Sequence, residues 1–262
     1  MNAKIETPDL MIYAMALEIE NFNTVLHGVS SPLPVLAMSV ARKTHAPDMA
    51  YISGAEGVDP EIDRIYPSSF DARLNRNAVA YFGLHEAFDL AQRGELDVMF
   101  LGAAQVDCNG NTNLSLIGDV ERPKVQLPGG AASAFLMPIT PKVVIWVTRH
   151  SNRVFVEEVD FVTGQGYNHR SEECKVNEIV VISNLAVMNF KNPERSMQIQ
   201  YYHPGHTIEE IKENTGFDLK VAPDASETPT PTQDVLDLIA EIDRDGIRPV
   251  SYTHLTLPTI TE

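Results

Sequence analysis

The order of segments along this chain predicts an α/β protein: a single open, mainly parallel sheet with helices on both faces. Runs of β-branched and apolar residues alternate with runs of helical periodicity. One of the strand-like runs, Asp97 to Leu101, is apolar at consecutive positions, as a strand covered on both faces must be. Loops rich in Gly, Asn and Ser recur directly after the strands. At 262 residues the chain can bury a large core, and no internal repeat or sharp boundary divides it. Residues 1–249 therefore read as one domain.

Thr7 to Ile19 has apolar residues at helical spacing, with Thr7 expected as the N-cap and Pro8 at the first helical position. Thr24 to His27 is a short strand leading into Gly28-Val29-Ser30-Ser31-Pro32-Leu33-Pro34, and Val35 to Lys43 is a helix that stops before Pro47. Met49 to Ser53 is the next strand. Leu84 to Gln92 is an amphipathic helix closed by Gly94, and Asp97 to Leu101 is the buried strand. Lys142 to Thr148, Glu178 to Ser183 and Met197 to Tyr202 continue the sheet with mixed strand directions. Thr207 caps a short helix to Asn214, with Glu210 placed to complete a capping box. Val221 to Pro231, rich in Pro, Thr, Asp and Glu, suits an exposed linker, and Thr232 to Asp243 is the last clear helix. The tail 250–262 lacks the preceding pattern: it reads as an addition outside the fold or as a short edge strand.

The formal net charge of -16 argues against sequence-independent binding to nucleic acid or to an anionic membrane, both of which need clustered Lys and Arg. No stretch approaches the ~20 apolar residues of a membrane helix, and the start lacks a signal-peptide pattern. Cys108 and Cys174 are far apart and read as two reduced thiols, in keeping with a cytoplasmic location. Among the sequence patterns there is no Cys/His metal cluster, Walker sequence or dinucleotide fingerprint.

Gly28 to Pro34 and Gly102 to Asn113 both follow strands, where open α/β sheets bind ligands. Gln105 and Asp107 stand two apart, so an extended chain points them to one side, and Asn111 and Asn113 add polar groups beside them. They are candidate site lining. Asn109-Gly110-Asn111 is equally a tight turn, because both residue types tolerate positive φ. Gly129 and Gly130 either face substrate from a loop, the reading we favour, or simply begin a helix over Ala131 to Leu136. His150 and His203 read as structural.

The segments Gly102-Ala103-Ala104-Gln105-Val106-Asp107, Gly110-Asn111-Thr112-Asn113, Arg122-Pro123-Lys124, Pro128-Gly129-Gly130, Val159-Asp160-Phe161-Val162-Thr163 and Asn214-Thr215-Gly216-Phe217-Asp218-Leu219 occur in an order that resembles the beta subunit of family I CoA-transferases. The resemblance spans about Thr7 to Asp243. It implies an acyl-CoA ester as substrate, coenzyme A being no resident cofactor, and an alpha subunit completing the site of a hetero-oligomer. In that family a Glu carboxylate attacks the thioester, giving an acyl-glutamyl anhydride and then a glutamyl-CoA thioester. The Glu opens an E-S-G or E-N-G motif after the strand that follows A-P-D. Here Ala46-Pro47-Asp48 is kept, but the strand ends in Ser53-Gly54-Ala55-Glu56-Gly57. Gly54 falls at the nucleophile's place, and Glu56, two residues on, is the candidate catalytic carboxylate. The resemblance also implies an oxyanion-stabilising G-x-G-G-A stretch, matched by Pro128 to Ala132 with one glycine displaced. Gly28, Ser30, Gly54, Gln105, Asp107, Asn111, Asn113, Gly129 and Gly130 are the expected substrate-binding set.

A sister group, the two-subunit hydrolases that open a ring of a steroid-derived CoA ester, is similar too. The resemblance implies that these carry their catalytic Glu on the alpha subunit, and Val162-Thr163-Gly164-Gln165-Gly166-Tyr167 is closer to them. The expectation is thus a CoA-transferase beta subunit, with a hydrolase subunit or a non-catalytic scaffold as alternatives.

Overall fold

A computed structural model describes residues 5–169 and 178–249; Cys174 and the tail 250–262, with the readings made of them, lie outside these. The chain begins with α1 (Thr7–Leu17), β1 (Thr24–His27), α2 (Pro32–Lys43), β2 (Ala50–Ile52), β3 (Gly57–Val58) and β4 (Ala80–Tyr81). Next come α3 (Leu84–Gln92), β5 (Val98–Gly102), β6 (Gln105–Val106), β7 (Thr112–Asn113), β8 (Leu116–Gly118), β9 (Pro123–Gln126) and α4 (Ala131–Leu136). The remainder is β10 (Lys142–Val147), β11 (Glu178–Ser183), β12 (Ala186–Asn189), β13 (Gln198–Tyr202), α5 (Ile208–Glu213), β14 (Lys220–Glu227) and α6 (Gln233–Ile242).

Ten strands form one open sheet in the order β14-β13-β12-β11-β10-β5-β1-β2-β3-β4, while β6-β7 and β8-β9 are separate hairpins. The five central strands from β11 to β2 are parallel, and antiparallel pairs flank them. The predicted fold class is therefore the observed one. Side chains alternate across the sheet as a period of two requires. Val25, Phe100, Val144, Trp146, Val180 and Ile182 join the core under α1, α2 and α6. Leu26, Met99, Leu101, Val143, Ile145, Ile179 and Val181 join the core under α3, α4 and α5.

Several element boundaries differ from expectation for local reasons. The N-cap of α1 is Glu6, not Thr7; the Asp9 carboxylate accepts from the Glu6 N–H at 3.0 Å, which leaves Thr7 and Pro8 in the first turn. The second helix starts at Pro32 rather than Val35, since the first turn of a helix has no use for the N–H groups that Pro32 and Pro34 lack. Thr207 caps α5 by accepting from Glu210 N at 3.1 Å, but the Glu210 carboxylate turns to His206 Nδ1 at 3.0 Å.

The largest correction concerns Val221 to Pro231. Most of this stretch is not linker: β14 pairs in parallel with β13 at the sheet edge. Pro223 is accommodated because the register shifts between Ile199 and Tyr201, and an edge strand with a bulge can spare a donor.

A clasp holds the chain's described C-terminal end to its beginning. The buried Asp243 carboxylate accepts from Ile247 N at 2.6 Å and from Arg248 N and Nη1, both at 3.1 Å. Arg248 Nε lies 3.0 Å from Asp9 Oδ1 without hydrogen-bond alignment, so that contact is coulombic. Burial raises the Asp9 carboxyl pKa, and Arg248 opposes the rise. Ending the chain after Pro249 is expected to leave the melting temperature unchanged. Ending it after Ile242 removes the clasp and buried Ile247, and should lower it by about 5 °C or more in a calorimetric scan.

Candidate functional site at the carboxyl ends of the central strands

The centre of the sheet contains a topological switch. From β1 the chain crosses to β2 through α2 on one face, whereas from β5 it crosses to β10 through α4 on the other. Neighbouring strands whose connections leave to opposite faces open a crevice at their carboxyl ends, where such sheets hold ligands. Here that position falls between Gly28 and Gly102, at the ends of β1 and β5. A Cβ on Gly102 would meet nothing within 4 Å, and one on Gly28 would approach Phe100 O at 3.5 Å.

Three segments far apart in sequence are tied together on the β1 side. The Gly54 N–H donates to His27 Nε2 at 3.2 Å. That nitrogen is thus the acceptor, and the imidazole proton sits on Nδ1, 3.1 Å from the Gly28 carbonyl it serves. Burial pushes the His27 pKa down to about 4, so the ring is neutral at physiological pH. The Ser69 hydroxyl donates to the same Gly28 carbonyl at 3.1 Å and accepts from Ser31 N at 3.0 Å. Phe70, 40% exposed, follows directly.

Gly54, at the expected place of the nucleophile, is buried, and a Cβ there would stand 3.0 Å from both His27 O and Phe70 Cε2. A side chain there would press on His27 and Phe70, which would have to give by a few tenths of an ångström. Glu56 is exposed with φ 73°, its N–H donating to Ser53 O at 2.9 Å in the turn between β2 and β3. Ser30, exposed with φ 52°, stands beside Gly28.

On the β5 side the structure buries Gln105, Asp107, Asn111 and Asn113, each at most 5% exposed, and employs their polar atoms inside the loops. Asp107 accepts from Asn109 N at 2.9 Å, Asn111 N at 3.0 Å and Asn111 Nδ2 at 2.7 Å. Asn111 also binds Asn168 Oδ1 at 2.9 Å and accepts from Gly166 N at 2.7 Å. Asn113 donates to Gln105 Oε1 at 2.7 Å, and that oxygen accepts from Asp160 N at 3.0 Å. These bonds lock the 105–113 hairpin to the 160–168 segment. The glycines of Thr163-Gly164-Gln165-Gly166 answer the same packing: a Cβ on Gly166 would overlap Asn109 O, and one on Gly164 would overlap Thr112 Oγ1 and Met137 Sδ.

Gly130 is the N-cap of the six-residue α4, so Gly129 and Gly130 form the loop that leads directly into that helix. A side chain at 130 would overlap Thr163 Cγ2, while Gly129, with φ 95°, faces open space and donates its N–H to Leu114 O at 2.8 Å.

Residues 9–214 match the family model described as Coenzyme A transferase. The chain belongs to the coenzyme A transferase family. Within it the chain is of the beta-subunit type. It is 32% identical to the corresponding subunit of 3-oxoadipate CoA-transferase of Pseudomonas knackmussii, over 90% of this chain and 93% of that one. It is 30% identical to the cholesterol ring-cleaving hydrolase IpdB subunit of Rhodococcus jostii, over 80% of this chain and 81% of that one. The crystal structure of the decarboxylase AibA/AibB superposes with a TM-score of 0.86 at 33% identity, covering 94% of this chain and 98% of that one. These family members are named for three different reactions.

Sequence reasoning missed His27, Ser69 and Phe70. His27 carried one signal, its place between a strand and Gly28, whereas nothing local marks Ser69 and Phe70, which are brought in by the fold. His150 and His203 are indeed internal: His150 meets Ser183 Oγ at 2.8 Å and Thr215 Oγ1 at 3.0 Å, and His203 meets Thr228 Oγ1 at 2.8 Å. Burial lowers their pKa values to about 3 and about 4. Among the described residues no group of His, Cys, Asp and Glu could hold a metal ion, and no helix is long and apolar enough to cross a membrane.

All three histidines protonate more readily unfolded than folded, so their contribution to stability is complete above about pH 6.5 and is lost as pH falls towards 4 and then 3. Each contributes a slope of about 1.4 kcal/mol per pH unit in that window. Denaturant titrations between pH 7 and 4.5 should show this decline, and His150→Asn should flatten it. Gly166→Ala is expected to destabilise by about 2 kcal/mol, read from the denaturation midpoint, because the added methyl meets backbone that cannot move aside.

Proposed function

We propose that this chain is the beta subunit of a two-subunit enzyme acting on an acyl-CoA thioester. The crevice between β1 and β5 receives the reacting carbonyl, an alpha subunit contributes the essential carboxylate, and water is the final nucleophile. The observation that carries this reading is Gly54, which by the resemblance stands where the covalent members hold Glu, and which lies close against Phe70 and His27. Glycine supplies no carboxylate, and a larger residue there would have to displace Phe70 slightly. The relative named as a ring-cleaving hydrolase subunit supports hydrolysis, and the names AibA/AibB and IpdAB support a two-chain assembly.

In this reading the beta chain orients and the alpha chain reacts. His27, held neutral, fixes the loops after β1 and β2 relative to each other. Water adds to the activated carbonyl, its proton passes to the alpha-subunit carboxylate, and the bond to the leaving group breaks as that proton is returned. Coenzyme A enters as part of the substrate.

A second reading, covalent CoA transfer, is favoured by Glu56, exposed on the turn that follows Gly54, and by the 32% identity to a subunit of a CoA-transferase. There the Glu56 carboxylate attacks the thioester carbonyl and expels CoA thiolate, leaving an acyl-glutamyl anhydride; the thiolate then attacks the glutamyl carbonyl, the anhydride C–O bond breaks, and the acyl group departs as its carboxylate while the glutamyl thioester forms.

Glu56→Gln separates the two. The hydrolytic reading expects kcat of the two-subunit enzyme to stay within about tenfold and hydroxylamine to trap no glutamyl adduct. A fall of about a thousandfold with unchanged substrate binding, together with an adduct on Glu56, establishes the covalent route instead. The chain by itself is expected to show no turnover, and activity by the single purified chain would overturn the division of labour.

A further inference from the structure

In a chain in which 21% of residues are charged, the four stretches bordering the position between β1 and β5, residues 28–34, 53–55, 68–70 and 102–104, contain no Asp, Glu, Lys or Arg. Several of their hydroxyls are engaged within the protein. Ser69 Oγ serves Gly28 O and Ser31 N, Ser31 Oγ donates to Val29 O at 3.0 Å, and Ser53 Oγ accepts from Ala55 N at 3.1 Å. Two large apolar side chains are nevertheless left open there: Val29 is 66% exposed and Phe70 40%.

Phe70 is rooted from both sides. Its own N–H donates to Ser68 Oγ at 3.2 Å, and Ser69, which precedes it, is tied to the loop after β1. Asp71, which follows, accepts from Arg73 N at 3.0 Å and Arg73 Nε at 2.9 Å. The ring then reaches Gly54, where Cε2 lies 3.0 Å from the place a Cβ would take. By the resemblance, position 54 is where covalent members hold the carboxylate that meets the thioester. A ring lying against that position stands beside the thioester carbonyl and the first carbons of the acyl group.

The open part of such a ring discriminates by charge. An alkyl chain laid on it gains by leaving water, whereas a carboxylate brought there loses its hydration and finds no charged partner in the four stretches.

We infer that Phe70, with Val29 on the neighbouring loop, is the specificity-determining wall of the acyl site, and that it selects a short acyl group that is apolar and uncharged over one that carries a second carboxylate. The inference deepens the proposed function and rests on its acyl-CoA substrate.

The test is calorimetric titration of the two-subunit enzyme with S-pentyl-CoA and S-carboxybutyl-CoA, thioethers of matched length that cannot react. The pentyl compound is expected to bind about tenfold or more tighter. Phe70→Ala should bring the two within about threefold, chiefly by weakening the pentyl compound, Phe70→Leu should keep the preference, and Phe70→Arg should reverse it. Size-exclusion chromatography and a melting scan check that each variant keeps its fold and its alpha partner. Equal or tighter binding of the carboxylate by the wild type overturns the inference. So does the wild-type preference in Phe70→Ala of unchanged melting temperature, or in Phe70→Arg should the alanine variant be less stable. Loss of the alpha subunit from Phe70→Ala also overturns it, since the ring then belongs to the subunit contact. Failure of both thioethers to bind overturns the acyl-CoA reading and this inference together, whereas each of the other outcomes leaves that reading standing. No turnover is needed, so the result is independent of the Glu56 experiments.

Discussion

The pairing of β1 with β5 in the middle of the sheet is the constraint from which the rest of the molecule follows. With Val25, Leu26 and His27 in register with Val98, Met99 and Phe100, both strands present their carboxyl ends side by side, and because β2 and β10 lie on opposite sides of the pair, right-handed connections leave to opposite faces. That divergence makes the crevice. It also places His27 between two loops, where a buried neutral imidazole donates to Gly28 and accepts from Gly54. A protonated ring cannot accept from Gly54, so the depressed pKa and the loop geometry depend on each other.

A second constraint is the satisfaction of buried polar groups on the β5 side. The hairpin 105–113 carries four polar side chains with almost no exposure, and an unpaired amide or carboxylate there would cost about 1–3 kcal/mol or more. The 160–168 segment answers with backbone N–H groups from Asp160 and Gly166 and the side chain of Asn168. Glycines at 164 and 166 are what allow the two backbones to come so close. A pattern that resembles one branch of the family thus has a packing reason, independent of the reaction catalysed. The names borne by its relatives, a transferase, a ring-cleaving hydrolase and a decarboxylase, show one scaffold carried by proteins named for different chemistries.

Charge is distributed with similar economy. The chain is strongly acidic, yet its carboxylates at 63, 71 and 245 order arginines around one hollow, and Arg73 holds the Asp71 carboxyl down at about 2. At the amino ends of the central strands Lys142 bridges Glu18 at 2.9 Å and Glu178 at 3.3 Å, closing the opposite edge of the sheet.

The α/β class, the central strands and most of the helices were legible because they rest on local periodicity and on turn residues. Thr24 to His27, Leu84 to Gln92 and Glu178 to Ser183 fell where the pattern put them. The family was legible through residues spread over most of the chain. What sequence could not decide depends on partners distant along the chain. β14 looked like linker because its Pro and acidic residues suit solvent, and only pairing with β13 made it a strand. For Gln105, Asp107, Asn111 and Asn113 the sequence placed polar side chains after a strand, and only the fold shows that their polar atoms bond to one another and to the 160–168 segment. Gly54 was seen to replace a carboxylate, but that Phe70 fills the space above it follows from the path of residues 59–76 back to Gly28. Local preference is written in neighbouring residues; the occupancy of a cavity is set by whichever side chains the folded chain brings there.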